Sequence, residues 1–149
     1  MTSRPLAVRE LALSTMRADQ VAALQKLDQW PLAMITDKLV SAGRLSAESI
    51  DEHVHLYKQF MFFQGMNSNQ RCGMYSIEVD EIWHQHILYT KDYEQFCHEV
   101  FGRFIHHTPC NVMDTSPAAM EEYSKWVANL HEVFEGPPLK PRIPPYCMG

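Results

Sequence analysis

The sequence predicts an all-α fold, a compact bundle of about five to six helices followed by an extended, proline-rich tail. Three observations favour this class. Apolar residues recur at helical spacing along most of the chain, proline and glycine separate these stretches, and no repeat or low-complexity segment is present. The length of 149 residues and the 46% hydrophobic content suit one core. We therefore expect one helical domain over residues 1–136 and a tail over residues 137–149.

The first half of the chain predicts three helices. Within the first ~30 residues, one helix has an apolar face. That face consists of Val21, Leu24 and Leu27. Pro31 is a favoured first helical residue, and the helix that follows should end at Gly43. Ser46 should cap a third helix, which extends to Gly65 and has apolar residues at helical spacing. Those residues are Ile50, Val54, Tyr57, Phe60 and Met61.

The second half predicts three more helices after a loop over residues 66–76. Ser76 or Glu78 should begin the first of them, and Thr90 should end it and cap the next. That next helix should extend to residue 105, because seven apolar residues continue its period. They are Tyr93, Phe96, Cys97, Val100, Phe101, Phe104 and Ile105. Ser116 should cap the last helix, which should end at Gly136.

Composition excludes several classes of protein. The formal charge of -5 and the scattered lysines and arginines leave no basic stripe for nucleic acid. No apolar run approaches the ~18 residues of a membrane span, and the N-terminus has no signal-peptide pattern, so we expect a cytoplasmic protein. No dinucleotide, P-loop, zincin or nucleophile-elbow motif is present. The partner of this protein is therefore expected to be a small molecule or another protein.

The cysteines predict free thiols. They are far apart and form no CxxC pair, which argues against a disulfide framework and against a thiolate zinc site. The four are Cys72, Cys97, Cys110 and Cys147. Cys97 lies within the apolar face of its helix and is expected to pack as a small hydrophobic residue.

Histidines concentrate in two short segments, VDEIWHQHILYT and FGRFIHHTPC. Asp80 and His84 are one helical turn apart, so a carboxylate and an imidazole share one side of a helix. His106 and His107, at the end of the next helix, could supply a third ligand. Adjacent helical residues diverge by about 100°, so only one would face the site, and we choose His107 over His106. Two imidazoles and a carboxylate suit iron or zinc, and copper is a further option.

Other interpretations of these histidines stay open. Asp80 and His84 could hydrogen-bond each other with no metal, and His106 or His107 could cap the last carbonyls of its helix. His86 points away from His84 towards the apolar side, which predicts a hydrogen-bonded core imidazole. The remaining candidates, His53, His55 and His98, are expected to lie on the solvated surface.

Two tyrosines are candidate catalytic residues or donors to the metal ligands. Tyr57 and Tyr93 could direct hydroxyl groups into a polar pocket, although aromatic residues at helical spacing usually belong to the core. Trp83 and Phe101 would line an apolar pocket around the metal.

The segment VDEIWHQHILYTKDYEQFCHEVFGRFIHH resembles the characteristic segment of the glycine-rich-domain-containing-protein-like family, a domain family of bacteria, fungi and plants. The matching residues are Val79, Asp80, Trp83, His84, His86, Tyr93, Cys97, Phe101, Gly102, His106 and His107. The resemblance extends over residues 46–138, but family members often have a proline where this chain has residues 89–91, and the glycine-rich extension is lacking. It implies a fold and a motif without an established reaction, and it implies that Asp80, His84 and the double histidine belong to one site.

Two functions therefore remain open. The first is a small helical metal-binding protein with an Asp/His/His site, which as a non-haem metalloenzyme would act on a small molecule or peptide. The second is a metal-free protein-interaction module with a buried Asp–His network and a docking tail. Acid–base catalysis by an Asp80–His84 dyad ranks third.

Overall fold

Seven α-helices make up the described part of the chain, which in the computed structural model comprises residues 4–66, 76–107 and 116–136. They are α1 (Glu10–Thr15), α2 (Ala18–Gln29), α3 (Ala33–Ser41), α4 (Ile50–Met66), α5 (Ile77–Leu88), α6 (Thr90–Phe101) and α7 (Pro117–Val133). A 3-10 turn at Pro5–Ala7 precedes them. These residues contain no β-strand, which confirms the all-α prediction. The tail over 137–149, most of the predicted loop, and Cys72, Cys110 and Cys147 lie outside the described residues.

The N-terminal segment differs from the prediction of one helix. The backbone is extended at Met16 and at Arg17, and this separates α1 from α2. A new helix starts after Arg17 because the Gln20 side chain accepts the Arg17 backbone N–H at 2.9 Å. The predicted apolar face is largely correct, since Leu24 and Leu27 are fully buried.

Gly65 does not end its helix, contrary to the sequence prediction. It lies inside α4, one residue before the end, and a Cβ atom there would overlap the Phe101 ring. The glycine is therefore explained by close packing rather than by a left-handed helix stop. The start of α4 was also misplaced, because the helix begins at Ile50 and not directly after Ser46.

The helix that contains Cys97 is shorter than its apolar pattern predicts. Gly102 adopts a left-handed conformation, with φ 74°, and ends α6 directly after Phe101. Residues 104–107 follow without helical structure. Phe104 and Ile105, which continue the helical period in sequence, therefore lie beyond the helix.

Helix α4 has a central position. It packs against α2, α3 and α5, while α5 also packs against α3 and α6. Fully buried aromatic residues from three of these helices fill the space between them: Tyr57, Phe60, Trp83, Tyr93 and Phe96. None of the helices in the described ranges is both long and apolar enough to span a membrane.

The two ends of the described chain meet. Val8 and Phe134 form an isolated antiparallel β-bridge, the Arg9 N–H donates to the Val133 carbonyl at 2.7 Å, and the Glu135 N–H donates to the Ala7 carbonyl at 2.8 Å. This pairing fixes the N-terminal segment against the end of α7.

Candidate functional site

Helix α5 presents Asp80 and His84 on one side, one turn apart. The Ser76 hydroxyl accepts the Val79 backbone N–H at 3.1 Å and so caps the helix as predicted. This cap starts the helix one turn before Asp80. The Nδ1 atom of His84 then lies 3.6 Å from Oδ2 of Asp80.

His107 reaches this pair from the non-helical segment after α6. Its Nε2 atom lies 3.1 Å from Oδ1 of Asp80, and its ring centroid lies 4.5 Å from that of His84. The indole of Trp83 also packs against the His107 ring, with centroids 4.2 Å apart. His107 is thus in contact with two side chains of α5, and its Nε2 atom faces the carboxylate of Asp80.

The Tyr93 hydroxyl connects the three segments that form the site. It accepts the indole N–H of Trp83 on α5 at 3.0 Å and donates to the backbone carbonyl of Ile105. Tyr93 itself belongs to α6 and is buried. The position of residue 105, two residues before His107, is therefore fixed relative to α5.

His106 does not join the cluster. In the non-helical segment 104–107, Ile105 is buried while His106 is exposed, so the His106 side chain lies in solvent. The His106 ring packs instead on Phe104, with centroids 4.8 Å apart. The alternative that either histidine caps the end of its helix is wrong, because α6 ends at Gly102.

The three side chains can offer ligand atoms to one metal ion. One atom from each of Asp80, His84 and His107 lies within 4.8 Å of the other two. A metal with bonds of about 2.0–2.2 Å holds its ligand atoms about 3–3.5 Å apart, which the 3.1 Å separation of Asp80 and His107 already satisfies. The His84 side chain is 53% exposed, so it has room to close the remaining gap.

His86, as predicted, is a hydrogen-bonded core histidine. It is fully buried, its Nδ1 atom lies 2.7 Å from the Tyr57 hydroxyl, and its Nε2 atom lies 2.7 Å from Oδ2 of Asp92. Burial lowers the pKa of His86, and the hydrogen bond to Asp92 opposes this shift. A neutral ring that donates to Asp92 and accepts from Tyr57 satisfies all three groups.

The Asp92 partner was missed by sequence reasoning. Asp92 lies in the first turn of α6, where acidic residues are common for capping reasons alone, so its type and position give no distinctive signal. The Trp30 indole N–H also donates to it at 3.3 Å.

Both candidate tyrosines lie in the core. Burial raises the pKa of Tyr57 well above its ordinary value and also raises that of Tyr93. The Tyr57 hydroxyl is bonded to His86, and the Tyr93 hydroxyl to Trp83 and Ile105. In the described contacts of these hydroxyl groups, neither reaches the three candidate ligands.

The remaining histidines and Cys97 have defined positions. Cys97 is fully buried, as expected, and His98 is exposed. His53 and His55 are only partly exposed, so the surface prediction is wrong for them. His55 pairs with the buried amide of Gln59, which sequence spacing of i and i+4 could have suggested.

A family model matches most of the chain. The model of a family described as UCP032817-like matches residues 19–130, a range that contains Asp80, His84 and His107. No curated protein and no solved structure matches the chain. The description of the family names no activity, and it does not carry the glycine-rich name that the sequence motif suggested.

Proposed function

The chain belongs to the UCP032817-like family, and we propose that it is a small helical metal-binding protein whose ligands are Asp80, His84 and His107. The bound ion would be iron, zinc or copper. It would act as a Lewis acid or redox centre towards a small molecule or peptide. The protein would be an enzyme if the bound ion converts that molecule into a product.

The convergence of three potential ligands, one carboxylate and two imidazoles, carries this proposal. Asp80 and His84 belong to one helix, and His107 belongs to the segment that follows α6 in the chain. Their ligand atoms nevertheless lie within 4.8 Å of one another. This set is common to non-haem iron(II) sites and to catalytic zinc sites.

The exposure of the cluster supports a site that accepts an additional ligand. Three protein ligands leave at least one coordination position open. His107 is 9% exposed and Asp80 23%, whereas His84 is 53% exposed, so the open side faces solvent beside His84. The Trp83 indole packs against the His107 ring and gives the site an apolar neighbour.

Elemental analysis of protein purified without a metal-affinity tag tests the proposal. We expect about one equivalent of iron, zinc or copper in the wild-type protein and in His106→Ala, because His106 is exposed and outside the cluster. His107→Ala should lose the metal while its circular dichroism stays helical. Equal metal content in the two variants, or none in the wild type, would refute the proposed site.

A metal-free interaction module is the second candidate, and one observation favours it. The chain already builds a buried Tyr57–His86–Asp92 network without any metal, and Asp80 and His107 hydrogen-bond directly at 3.1 Å. If the protein is metal-free after purification and a chelator leaves its unfolding free energy unchanged, this candidate replaces the first. An Asp80–His84 acid–base dyad remains third.

Finer assignments accompany the first candidate. On the motif in residues 79–107, we also propose kinship with the glycine-rich-domain-containing-protein-like family. A cytoplasmic location and a small-molecule or protein partner are proposed from composition alone. Tyr93 is proposed as a residue that positions His107 through its hydrogen bond to Ile105.

A further inference from the structure

A cavity of about 150 Å³ lies between α4 and the end of α7. None of the three candidate metal ligands lines it. Its apolar wall consists of Leu56, Leu130 and Phe134. Leu130 and Phe134 are buried, and Leu56 is partly buried. Engineered apolar cavities of about 150 Å³ bind benzene. The space therefore suits one six-membered ring.

The polar wall of this cavity is held rigidly. The buried Gln59 amide nitrogen donates to the Leu6 carbonyl and to Nε2 of His55, both at 3.0 Å. Because Nε2 of His55 accepts, the proton of the neutral ring is on Nδ1. Burial lowers the pKa of His55, which also favours the neutral ring. His55 thus adds no positive charge to the cavity.

The backbone behind Gln59 is strained. Leu6 and Ala7 are consecutive non-glycine residues in the left-handed region, with φ 53° and 59°. Three hydrogen bonds hold them there, from the Leu6 N–H to Asp28, from Gln59 to the Leu6 carbonyl, and from the Glu135 N–H to the Ala7 carbonyl. Such strain persists only where the surroundings enforce it, and it concentrates at ligand sites.

The rim of the cavity carries two carboxylates. Glu52 and Glu135 line it and are exposed. Glu135 forms an ion pair with Arg4 at 2.7 Å, whereas Glu52 has no ion pair within the described residues. A ligand with a positive group would therefore find a partner at Glu52, next to the apolar wall.

We propose that this cavity binds a small aromatic amine, with its ring against Leu56, Leu130 and Phe134 and its ammonium group beside Glu52. The volume of the cavity limits the ligand to a single ring, and the Glu52 carboxylate at the rim favours a ligand with a positive charge. This proposal is independent of the metal site, since the two share no residue.

Nuclear magnetic resonance titration of the full chain with benzylamine, benzyl alcohol and benzoate tests it. The amide groups whose chemical shifts change should all lie in α4 and at the end of α7. The affinity should be highest for benzylamine, lower for benzyl alcohol and lowest for benzoate. No binding by benzylamine, or benzoate binding as tightly, would overturn the proposal.

Two variants separate the ring from the charge. Glu52→Gln should weaken benzylamine about two- to five-fold, the range of an exposed ion pair, and leave benzyl alcohol unchanged, while Glu48→Gln, on the exposed turn before α4, should change neither. Leu56→Trp should fill the cavity from its rim and abolish binding of all three compounds. Unchanged benzylamine affinity in either Glu52→Gln or a folded Leu56→Trp variant would overturn the assignment.

Discussion

The Nε2 atom of His107 lies 3.1 Å from Oδ1 of Asp80, although 27 residues separate them in the chain. The contact requires α5, the left-handed turn at Gly102 and the anchor of Ile105 to Tyr93. In the sequence, Gly102 and Tyr93 cannot be told from an ordinary glycine and an ordinary apolar helix residue. Their combination brings a second imidazole to the Asp80–His84 pair.

Tyr93→Phe should destabilise the protein by about 1–3 kcal/mol, because it leaves the buried Trp83 N–H and the Ile105 carbonyl without a partner. Urea unfolding measures this loss. The same variant should weaken metal binding, since the segment that carries His107 loses its anchor. Tyr89→Phe is the matched control, as Tyr89 is only partly buried, and it should change both quantities little. Equal effects of the two substitutions would contradict the positioning role of Tyr93.

Gly65→Ala should destabilise the protein by about 1–3 kcal/mol through overpacking, because the new Cβ would overlap the Phe101 ring. Helix propensity alone predicts the opposite sign, a gain of about 0.5–1 kcal/mol for alanine within a helix. Thermal or urea unfolding decides between them. A stabilised variant would show that α4 and α6 are farther apart than described.

The stability of the protein should fall as the pH decreases below about 6.5, the ordinary pKa of histidine. Burial lowers the pKa of His86 and of His55 in the folded state, so the unfolded chain binds protons more readily than the folded chain. The stabilisation is therefore present above pH 6.5 and is lost as the pH falls towards the folded-state pKa values. Urea unfolding at pH 7.5 and pH 5.5 measures the difference, at most about 1.4 kcal/mol per pH unit for each group.

His86→Gln separates the two contributions. It should be less stable at pH 7.5, because Tyr57 and Asp92 lose their partner, but its stability should depend less on pH than that of the wild type. A direct titration of the His86 ring by nuclear magnetic resonance should give a midpoint below 6.5. A midpoint above 6.5 would mean that Asp92 outweighs burial.

Periodicity and capping predicted most of the helices. The sequence predicts Ser116 as a cap and either Ser76 or Glu78 as the start of α5, and the hydroxyls of Ser76 and Ser116 both accept the backbone N–H three residues later. Gly43 was identified as a stop after α3, and it has φ 72°. These signals are local, so the sequence contains them in full.

The errors arose where tertiary packing determined the structure. The sequence predicts a helix end at Gly65, but Gly65 lies inside α4, where a Cβ atom would overlap the Phe101 ring. The helical period continues through Ile105, so only the conformation of Gly102 reveals that α6 has already ended. Local sequence cannot distinguish a glycine that ends a helix from one that admits a neighbouring ring.

The candidate site was predictable in type and only partly in geometry. The one-turn spacing of Asp80 and His84 follows from helix geometry. The sequence prediction prefers His107 over His106 because adjacent helical residues diverge, but both histidines lie in a non-helical segment, where His106 is exposed and His107 is partly buried. The position of this segment beside α5 depends on the hydrogen bond of Ile105 to the distant Tyr93 hydroxyl group, which local sequence does not reveal.

Anomalous diffraction at the zinc absorption edge, from crystals of the wild-type protein grown with zinc, tests the central claim most directly. If Asp80, His84 and His107 bind the metal, we expect one strong peak about 2.0–2.2 Å from a carboxylate oxygen of Asp80 and from one ring nitrogen each of His84 and His107. A peak at other residues only, or no peak while these three side chains are well ordered, would contradict it.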